Sequence, residues 1–162
     1  MNESRSRERR SSTGRPNSTK PPKYFQEIAE YISKKYSSAK KIIEVGIGRS
    51  PYTALLLQKL LPKTELKVVD VDREAVEELR KIGLKAFVDD LTNPSLEIYR
   101  GADLIYSIRP PFELIPKIAS LGIRTGSDIM IAPLSEDAHL SDLSRWKMLK
   151  LGRAIIYLHE RT

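Results

Sequence analysis

The chain has 162 residues, of which 40% are hydrophobic and none is cysteine. A chain of this length can bury on the order of two thirds of its unfolded surface, which is enough for one domain with its own core, and disulfides are excluded. No apolar run approaches the roughly 20 residues of a membrane helix, and the polar N-terminus does not resemble a signal peptide. We therefore expect a cytoplasmic protein with no membrane association.

Residues 1–23 differ in composition from the rest of the chain. Seven Lys or Arg and two Glu in this segment account for five of the seven net positive charges. The segment has almost nothing to bury, so we predict a disordered basic tail, followed by one domain over residues 24–162. A basic arm could make weak contact with nucleic-acid phosphates, and the alternative is an extension that only solubilises the protein.

From Tyr24 onward the spacing of the apolar residues becomes helical. Tyr24, Ile28, Tyr31 and Ile32 form one stripe, which predicts a helix packed on a sheet. We predict that Tyr24 and Tyr31 are core residues, and the alternative is that they stack on a ligand.

Residues 42–51, IIEVGIGRSP, predict a strand, a tight turn and the start of a helix. Gly46 lets the chain reverse where a Cβ would clash, and Gly48 lets a ligand approach the free N–H groups of the next helix. Ser50 is predicted as the N-cap of that helix and Pro51 as its first residue. The alternative is a turn whose glycines serve geometry alone.

A second apolar run, at residues 65–72, ends in the carboxylates Asp70 and Asp72 at the spacing of a βαβ unit. A carboxylate at the tip of this strand can accept both hydroxyls of a ribose that lies across the first turn. Asp72 is also the predicted N-cap of a helix over residues 73–82, in which Ile82 faces the core. Asp70 is therefore the better candidate for a ribose contact.

The glycine turn resembles a known family. Residues 44–50 look like the glycine motif of class I S-adenosylmethionine-dependent methyltransferases, with Glu44, Gly46 and Gly48 in place. Ser50 stands where the family usually has a third glycine, which implies a more crowded methionine end of the ligand.

The acidic turn extends the resemblance. Residues 69–72, which contain Asp70 and Val71, look like the ribose-binding turn of the same family. A dinucleotide fingerprint fits less well, because its third glycine would fall on Pro51. The resemblance covers residues 24–162, and the chain is similar to a group of small uncharacterised archaeal proteins of this superfamily.

A third strand is predicted over residues 84–88, followed by Asp89 and Asp90. In the resembled family the acidic residue at this place faces the adenine amino group, so either aspartate is a candidate and the other would start the loop. Asn93 and Pro94 are predicted as N-cap and first residue of a short helix. The resemblance thus implies S-adenosylmethionine as cofactor, bound by these residues: Glu44, Gly46, Gly48, Ser50, Asp70, Val71, Asp89 and Asp90.

A fourth strand is predicted over residues 103–108, and its carboxyl end should border the ligand crevice. Residues 107–112, SIRPPF, resemble the Asp/Asn-Pro-Pro-aromatic motif of methyltransferases that act on amino groups of bases or glutamine. The first residue of that motif accepts a hydrogen bond from the target nitrogen, whereas Arg109 has no acceptor. We assign substrate binding to the following residues: Ser107, Arg109, Pro110, Pro111 and Phe112.

Arg109 has two interpretations. Its guanidinium can hold a carboxylate or a phosphate through two parallel bonds, presented from a backbone that the following prolines keep extended. The alternative is an ion pair with Asp103 or Glu113.

The C-terminal part predicts the end of the sheet. We expect a short helix over residues 113–121 with Pro116 in its first turn, and a fifth strand over residues 127–132. A polar connection then leads to an antiparallel hairpin centred on Gly152. His139 and His159 lie far apart and have no cysteine near them, so no metal site is predicted.

Together these segments predict a Rossmann-like methyltransferase fold, α/β in class, with a mostly parallel sheet of six or seven strands and a C-terminal antiparallel hairpin. The predicted function is binding of S-adenosylmethionine, a small-molecule methyl donor, and methyl transfer to an unknown substrate. One alternative is a non-catalytic module that keeps the fold. The other is a nucleic-acid-binding protein that acts through residues 1–23.

Overall fold

A computed structural model of the chain describes residues 20–133, Leu143 and residues 145–161. Its helices are α1 (Tyr24–Lys35), α2 (Tyr52–Leu60), α3 (Arg73–Lys81), α4 (Leu96–Tyr99) and α5 (Ile115–Thr125). Its strands are β1 (Lys41–Val45), β2 (Glu65–Asp70), β3 (Lys85–Val88), β4 (Leu104–Ile108), β5 (Asp128–Ala132), β6 (Lys147–Leu151) and β7 (Ala154–His159). Residues 1–19 of the predicted tail and most of the polar connection lie outside the described residues.

The strands form one seven-stranded sheet in the order β3-β2-β1-β4-β5-β7-β6. The first five strands in that order are parallel, whereas β7 runs antiparallel to β5 and β6 antiparallel to β7. This arrangement confirms the predicted fold class and the closing hairpin. The strand order reverses between β1 and β4, and in open α/β sheets such a switch point opens a crevice at the carboxyl ends of the strands.

The core has one apolar layer on each face of the sheet. Neighbouring residues of β1 alternate between the layers, with Ile42 in one and Ile43 in the other, as the period of two in a strand requires. Helices α1, α2 and α3 cover the first face, and α4 and α5 cover the second. On the second face Gly122 of α5 lies so close to the sheet that an added Cβ would be 2.1 Å from the side chain of Ile129.

Several predicted helix ends are wrong by a few residues. Helix α2 begins at Tyr52 with Pro51 as N-cap, and Ser50 makes no capping bond because its backbone closes a turn onto Ile47 (N to O, 3.3 Å). Helix α4 begins after Ser95, not after Asn93.

Two further predictions about helices need correction. Ile82 was expected in the core, but it follows the end of α3 and is 50% exposed. Helix α5 begins two residues later than predicted, after a short 3-10 helix at Phe112–Leu114, and it ends four residues later, at Thr125. Pro116 lies in the first turn of α5 as expected, where its missing N–H has no intrahelical partner.

The amino ends of β4 and β5 carry a network of paired charges. Arg161 donates to Asp103 Oδ1 from its guanidinium (3.1 Å) and to Asp128 Oδ1 from its backbone N–H (2.9 Å). The hydroxyl of Tyr36 donates to the other oxygen of Asp128 at 2.8 Å, and burial raises the pKa of that tyrosine. The network ties α1 and the end of the chain to the edge of the sheet opposite the crevice.

Within the described residues no helix combines the length and the apolar character that a bilayer crossing needs.

Candidate functional site

The carboxyl ends of β1, β2 and β4 meet at the turn formed by Gly46, Ile47 and Gly48. Gly46 and Gly48 have φ angles of +67° and +59°, a conformation that other residues rarely adopt. The N–H of Gly46 donates to the carbonyl of Val69 at 2.9 Å, which fixes the turn against β2. A Cβ added at Gly48 would meet nothing within 4 Å, so the backbone of Gly48 faces open space.

Asp70, the last residue of β2, holds this turn from the side. Its Oδ1 accepts from the N–H of Gly48 and its Oδ2 from the N–H of Asp72, each at 3.0 Å. Each carboxylate oxygen keeps a further lone pair for a ligand hydroxyl. The structure therefore brings Asp70 to the glycine turn, as the sequence predicted.

Asp72 has a different role. Its Oδ1 caps α3 by accepting from Glu74 N (3.0 Å) and Ala75 N (3.4 Å), which confirms the predicted N-cap. Its Oδ2 lies 3.6 Å from the guanidinium of Arg49.

The two aspartates after β3 organise the loop that follows. Asp89 is buried, and its Oδ2 accepts from the hydroxyl of Tyr99 at 2.6 Å. Asp90 is exposed and accepts from the backbone N–H and hydroxyl of Thr92, and these bonds hold the pKa of Asp90 below its usual value. Both aspartates thus have structural partners.

Three of the cavities along this edge of the sheet are lined by Asp70, Glu44 or Arg109. The aspartate cavity, of about 130 Å³, is lined by Gly46, Val69, Asp70, Val71, Asp89, Asp90, Leu91 and Leu114. The glutamate cavity, of about 290 Å³, is lined by Phe25, Glu44, Ile47, Gly48, Arg49, Ser50, Ile108 and Arg109. The hairpin cavity, of about 140 Å³, is lined by Tyr24, Ile28, Arg109, Ala132, Pro133, Arg153, Ala154 and Ile155.

Glu44 is an acid inside the fold at the edge of the glutamate cavity. Its side chain is buried, and its Oε1 accepts from the hydroxyl of Tyr106 at 2.7 Å. Burial raises the pKa of Glu44 to about 8, although the bond from Tyr106 acts in the opposite direction. Glu44 therefore keeps its proton at neutral pH, and a cation placed beside it would favour its ionised form.

Arg109 follows β4 and lies between the glutamate and hairpin cavities. Its N–H donates to the carbonyl of Ala132 at 2.7 Å, and its Nη1 donates to the hydroxyl of Tyr24 at 3.0 Å. The predicted alternative, an ion pair with Asp103 or Glu113, is absent from the described residues, where Asp103 pairs with Arg161 instead.

The backbone of Arg109 was predicted to be extended, and this is wrong. Its φ is +56°, and it is the one non-glycine among the described residues with a positive φ. The bond to Ala132 prolongs the ladder between β4 and β5 by one residue, and the chain then leaves the sheet at once toward Pro110. Residues in such sparsely populated conformations are typical of functional sites.

The other four residues assigned to substrate binding are less well positioned than Arg109 to contact a substrate. Ser107 is buried and its hydroxyl donates to the carbonyl of Val45 at 2.8 Å, so it joins β4 to β1 and does not face a substrate. Pro110 is half-buried, Pro111 is exposed, and Phe112 is 53% exposed at the start of the 3-10 helix.

Sequence reasoning missed several residues that line the cavities, among them Phe25, Arg49, Leu114 and Arg153, and beyond the core it considered Tyr24 only as a ring that could stack on a ligand. Tyr24 was predicted as core, but it is half-buried and its hydroxyl meets Arg109, 85 residues further along the chain. Helical periodicity shows which face of α1 is apolar and cannot show which strand end that face meets.

The chain has relatives of known sequence. The uncharacterised protein family UPF0146 matches residues 25–161. A UPF0146 protein of the archaeon Methanocaldococcus jannaschii is 35% identical over 136 residues, which are 83% of this chain and 95% of that protein.

Solved structures are similar in fold. An O-methyltransferase family protein from Burkholderia thailandensis matches 86% of this chain and 56% of its own, with a TM-score of 0.61 and 12% identity. The plantazolicin methyltransferase BpumL in complex with SAH (S-adenosylhomocysteine) matches 70% of this chain and 47% of its own, with a TM-score of 0.53 and 22% identity. The chain thus spans about half the length of these two proteins.

The strand order, the glycine turn and the family match over residues 25–161 are consistent with one family and one fold. The chain belongs to the uncharacterised protein family UPF0146, and its fold is the Rossmann-like fold of S-adenosylmethionine-dependent methyltransferases.

Proposed function

We propose that the chain binds S-adenosylmethionine across the glycine turn and transfers its methyl group to a substrate. The observation that carries this proposal is the pair of cavities on the two sides of β1. The aspartate cavity touches Gly46 and offers carboxylates. The glutamate cavity touches Gly48, and its walls include a buried acid and, elsewhere, two arginines. A ligand with a nucleoside at one end and an amino acid at the other fits this division.

The aspartate cavity suits the adenosine half of the donor. Asp70 ends β2 with lone pairs free for ribose hydroxyls. Val71, Leu91 and Leu114 add apolar surface, and Val71 is 65% exposed, so it is available to cover a base. One of the two aspartates after β3, which both line this cavity, would accept from the exocyclic amino group.

The glutamate cavity suits the methionine half, which is a zwitterion next to a sulfonium. Glu44 holds its proton because it is buried without a cationic partner among the described residues. A ligand ammonium would supply that partner, and the guanidinium of Arg49 or Arg109 would face the ligand carboxylate. The open backbone at Gly48 permits close approach, whereas Ser50 narrows the turn.

The chain's own contribution to transfer is positioning. S-adenosylmethionine supplies an electrophilic methyl group when it is bound. Alignment of two reactants can supply about 7–11 kcal/mol of a barrier, so a site without an evident general base can still support transfer. Ile47 and Ile108 give the glutamate cavity an apolar part of its wall, and Arg109 lies at its boundary with the hairpin cavity.

Calorimetry tests the binding half of this proposal. We expect the full chain to bind S-adenosylmethionine and S-adenosylhomocysteine and to give no heat with NADH. Tight binding of NADH, or no binding of either adenosyl ligand, would contradict the proposal. Transfer is tested by incubating the protein with donor labelled in the methyl group and an archaeal cell extract, with heat-inactivated protein as control.

A second candidate function is a donor-binding module without transfer. The replacement that favours it is Arg109, which stands where the similar motif of amino-group methyltransferases has an acceptor. Donor binding in the calorimeter together with no labelled product in the extract would support this candidate over the first.

A further inference from the structure

We propose that the hairpin cavity is a binding site for an organic acid, whose carboxylate lies between Arg109 and Arg153 and whose compact apolar body lies on the cavity floor. The cavity is built from three distant parts of the chain: α1, the ends of β4 and β5, and the start of β7. The inference rests on the proposed function in one respect: an acid held here would lie beside the methyl donor and be its acceptor.

The first step of the argument is charge. Arg109 and Arg153 both line a cavity of about 140 Å³, and neither takes part in an ion pair among the described residues. Both residues are exposed, so water screens their charges in part, and an anion bound at the cavity would be attracted by both guanidiniums. Glu27 is tied to the hairpin turn, because its Oε1 accepts from the backbone N–H of Arg153 at 3.2 Å.

The second step is hydrogen bonding. Nη1 of Arg109 donates to the hydroxyl of Tyr24, so that hydroxyl keeps its own proton for another acceptor. The guanidinium has five N–H groups, and most of those of Arg109 are left for a ligand. A carboxylate, with two oxygens and about four lone-pair sites, matches a fork of donors of this kind.

The third step is the floor of the cavity. Ile28, Ala132 and Ala154 are buried apolar residues, and Ile155 adds a half-buried apolar side chain. Such walls favour a carbon skeleton and strengthen the charge interactions beside them. An inorganic anion would gain nothing from them, and the small volume excludes a large ring system. The ligand class is therefore a carboxylic acid with a short aliphatic or single-ring body.

Arg109 also fixes where such an acid would lie. The same side chain lines the glutamate cavity, so it forms the boundary between the two sites. Tyr24 and Phe25, whose ring centroids lie 4.5 Å apart, form the same boundary from α1. Tyr24 lies on the hairpin side and Phe25 on the glutamate side.

The test is an NMR titration of the full chain with sodium benzoate, in parallel with sodium phosphate at equal ionic strength and without methyl donor. We expect saturable benzoate binding. Arg153→Gln should weaken it about tenfold or more, the usual effect of losing a charged hydrogen bond, and Tyr24→Phe should weaken it by a smaller factor. Arg124→Gln, an exposed arginine of α5, is the matched control and should bind benzoate like the wild type.

Two results would overturn the inference. One is equal affinity for benzoate and phosphate, because the apolar floor would then contribute nothing. The other is unchanged benzoate affinity in both Arg153→Gln and Tyr24→Phe. Calorimetry of donor binding on the same variants separates this inference from the proposed function. If the protein binds benzoate at this site but binds no adenosyl ligand, the acid site is supported and the proposed methyltransferase function is contradicted.

Discussion

The hydroxyl of Tyr106 donates to Oε1 of Glu44 at 2.7 Å, between two neighbouring strands and out of contact with solvent. Both groups are buried, and burial raises the pKa of each. The carboxyl of Glu44 therefore holds its proton in the folded protein at pH values where the unfolded chain has released it.

This pair predicts how stability depends on pH. Because the pKa of Glu44 is about 8 when folded and near 4.5 when unfolded, the folded state binds more protons between these values. The free energy of unfolding should fall as pH rises through this window, by at most about 1.4 kcal/mol per pH unit from this group. Glu44→Gln should remove that contribution, so the variant gains stability over the wild type from pH 5.5 to 8.5.

Urea unfolding of both proteins at several pH values measures the effect, because other titrating groups cancel in the difference. Tyr106→Phe is the complementary variant. It removes the bond that lowers the pKa of Glu44, so the decline in stability should extend to higher pH. A difference between Glu44→Gln and wild type that does not vary with pH would show that Glu44 is ionised in the fold.

The second prediction concerns Asp70. Asp70→Ala should weaken donor binding by about 1.5–3 kcal/mol, the usual worth of a hydrogen bond to a charged group. Glu77→Ala, at an exposed acid of α3 that pairs with Arg80, is the matched control and should cost at most about 1 kcal/mol of stability with little effect on affinity. Calorimetry and thermal unfolding measure the two effects, and an unchanged affinity in Asp70→Ala would remove this residue from the site.

The third prediction concerns the shape of the Arg109 side chain. A bidentate clamp needs the planar guanidinium, whereas a general positive potential would accept an ammonium. Arg109→Lys should therefore abolish transfer to an acidic substrate and leave donor affinity within about threefold. If donor affinity falls together with transfer, Arg109 holds the donor carboxylate, and the acceptor lies elsewhere.

The fourth prediction uses the backbone of the same residue. A left-handed conformation costs a residue with a side chain roughly 1–2 kcal/mol, and glycine avoids that cost but loses about 0.5–1 kcal/mol through chain entropy. Arg109→Gly should therefore be as stable as the wild type or slightly more stable, although it loses the guanidinium. Chemical unfolding decides this, with Arg109→Ala as the variant that keeps the strain.

The fifth prediction concerns the basic tail, which stays a prediction from composition. We expect deletion of residues 1–20 to leave the melting temperature nearly unchanged and to reduce salt-dependent binding to a nucleic acid. The deletion stops there because the carbonyls of Pro22 and Lys23 accept the first N–H groups of α1. Differential scanning calorimetry and fluorescence anisotropy with an RNA oligonucleotide measure the two quantities, and a clear loss of stability would mean that the tail packs on the domain.

Local pattern was enough for much of the fold. Alternating and continuous apolar runs were enough to predict the strands. Gly46, Gly48 and Asp70 were enough to predict the crevice, because tight turns and strand ends need particular residue types at neighbouring positions in the sequence. Exact helix starts were harder. Ser50 and Asn93 are residue types that often cap helices, but neither is the N-cap in the structure. Whether such a residue caps a helix depends on the backbone path into the first turn, which the residue type does not determine.

The sites formed by distant residues could not be predicted in this way. Tyr24 meets Arg109, and Arg153 meets Glu27 126 residues away, and neither pair leaves a periodic signal. The left-handed backbone conformation of Arg109 could not be predicted either, because the residue before a proline is usually extended.

The network of Tyr36, Asp128, Asp103 and Arg161 lies at the amino ends of β4 and β5, one strand length from Arg109. Five residues of strand span about 16 Å, beyond the distance at which substitutions usually couple. A double-mutant cycle between Tyr36→Phe and Arg109→Ala, measured as the free energy of unfolding, should therefore show no interaction energy. Substitutions in this network should therefore change the melting temperature of the protein without changing its affinity for a ligand at the carboxyl ends of the strands.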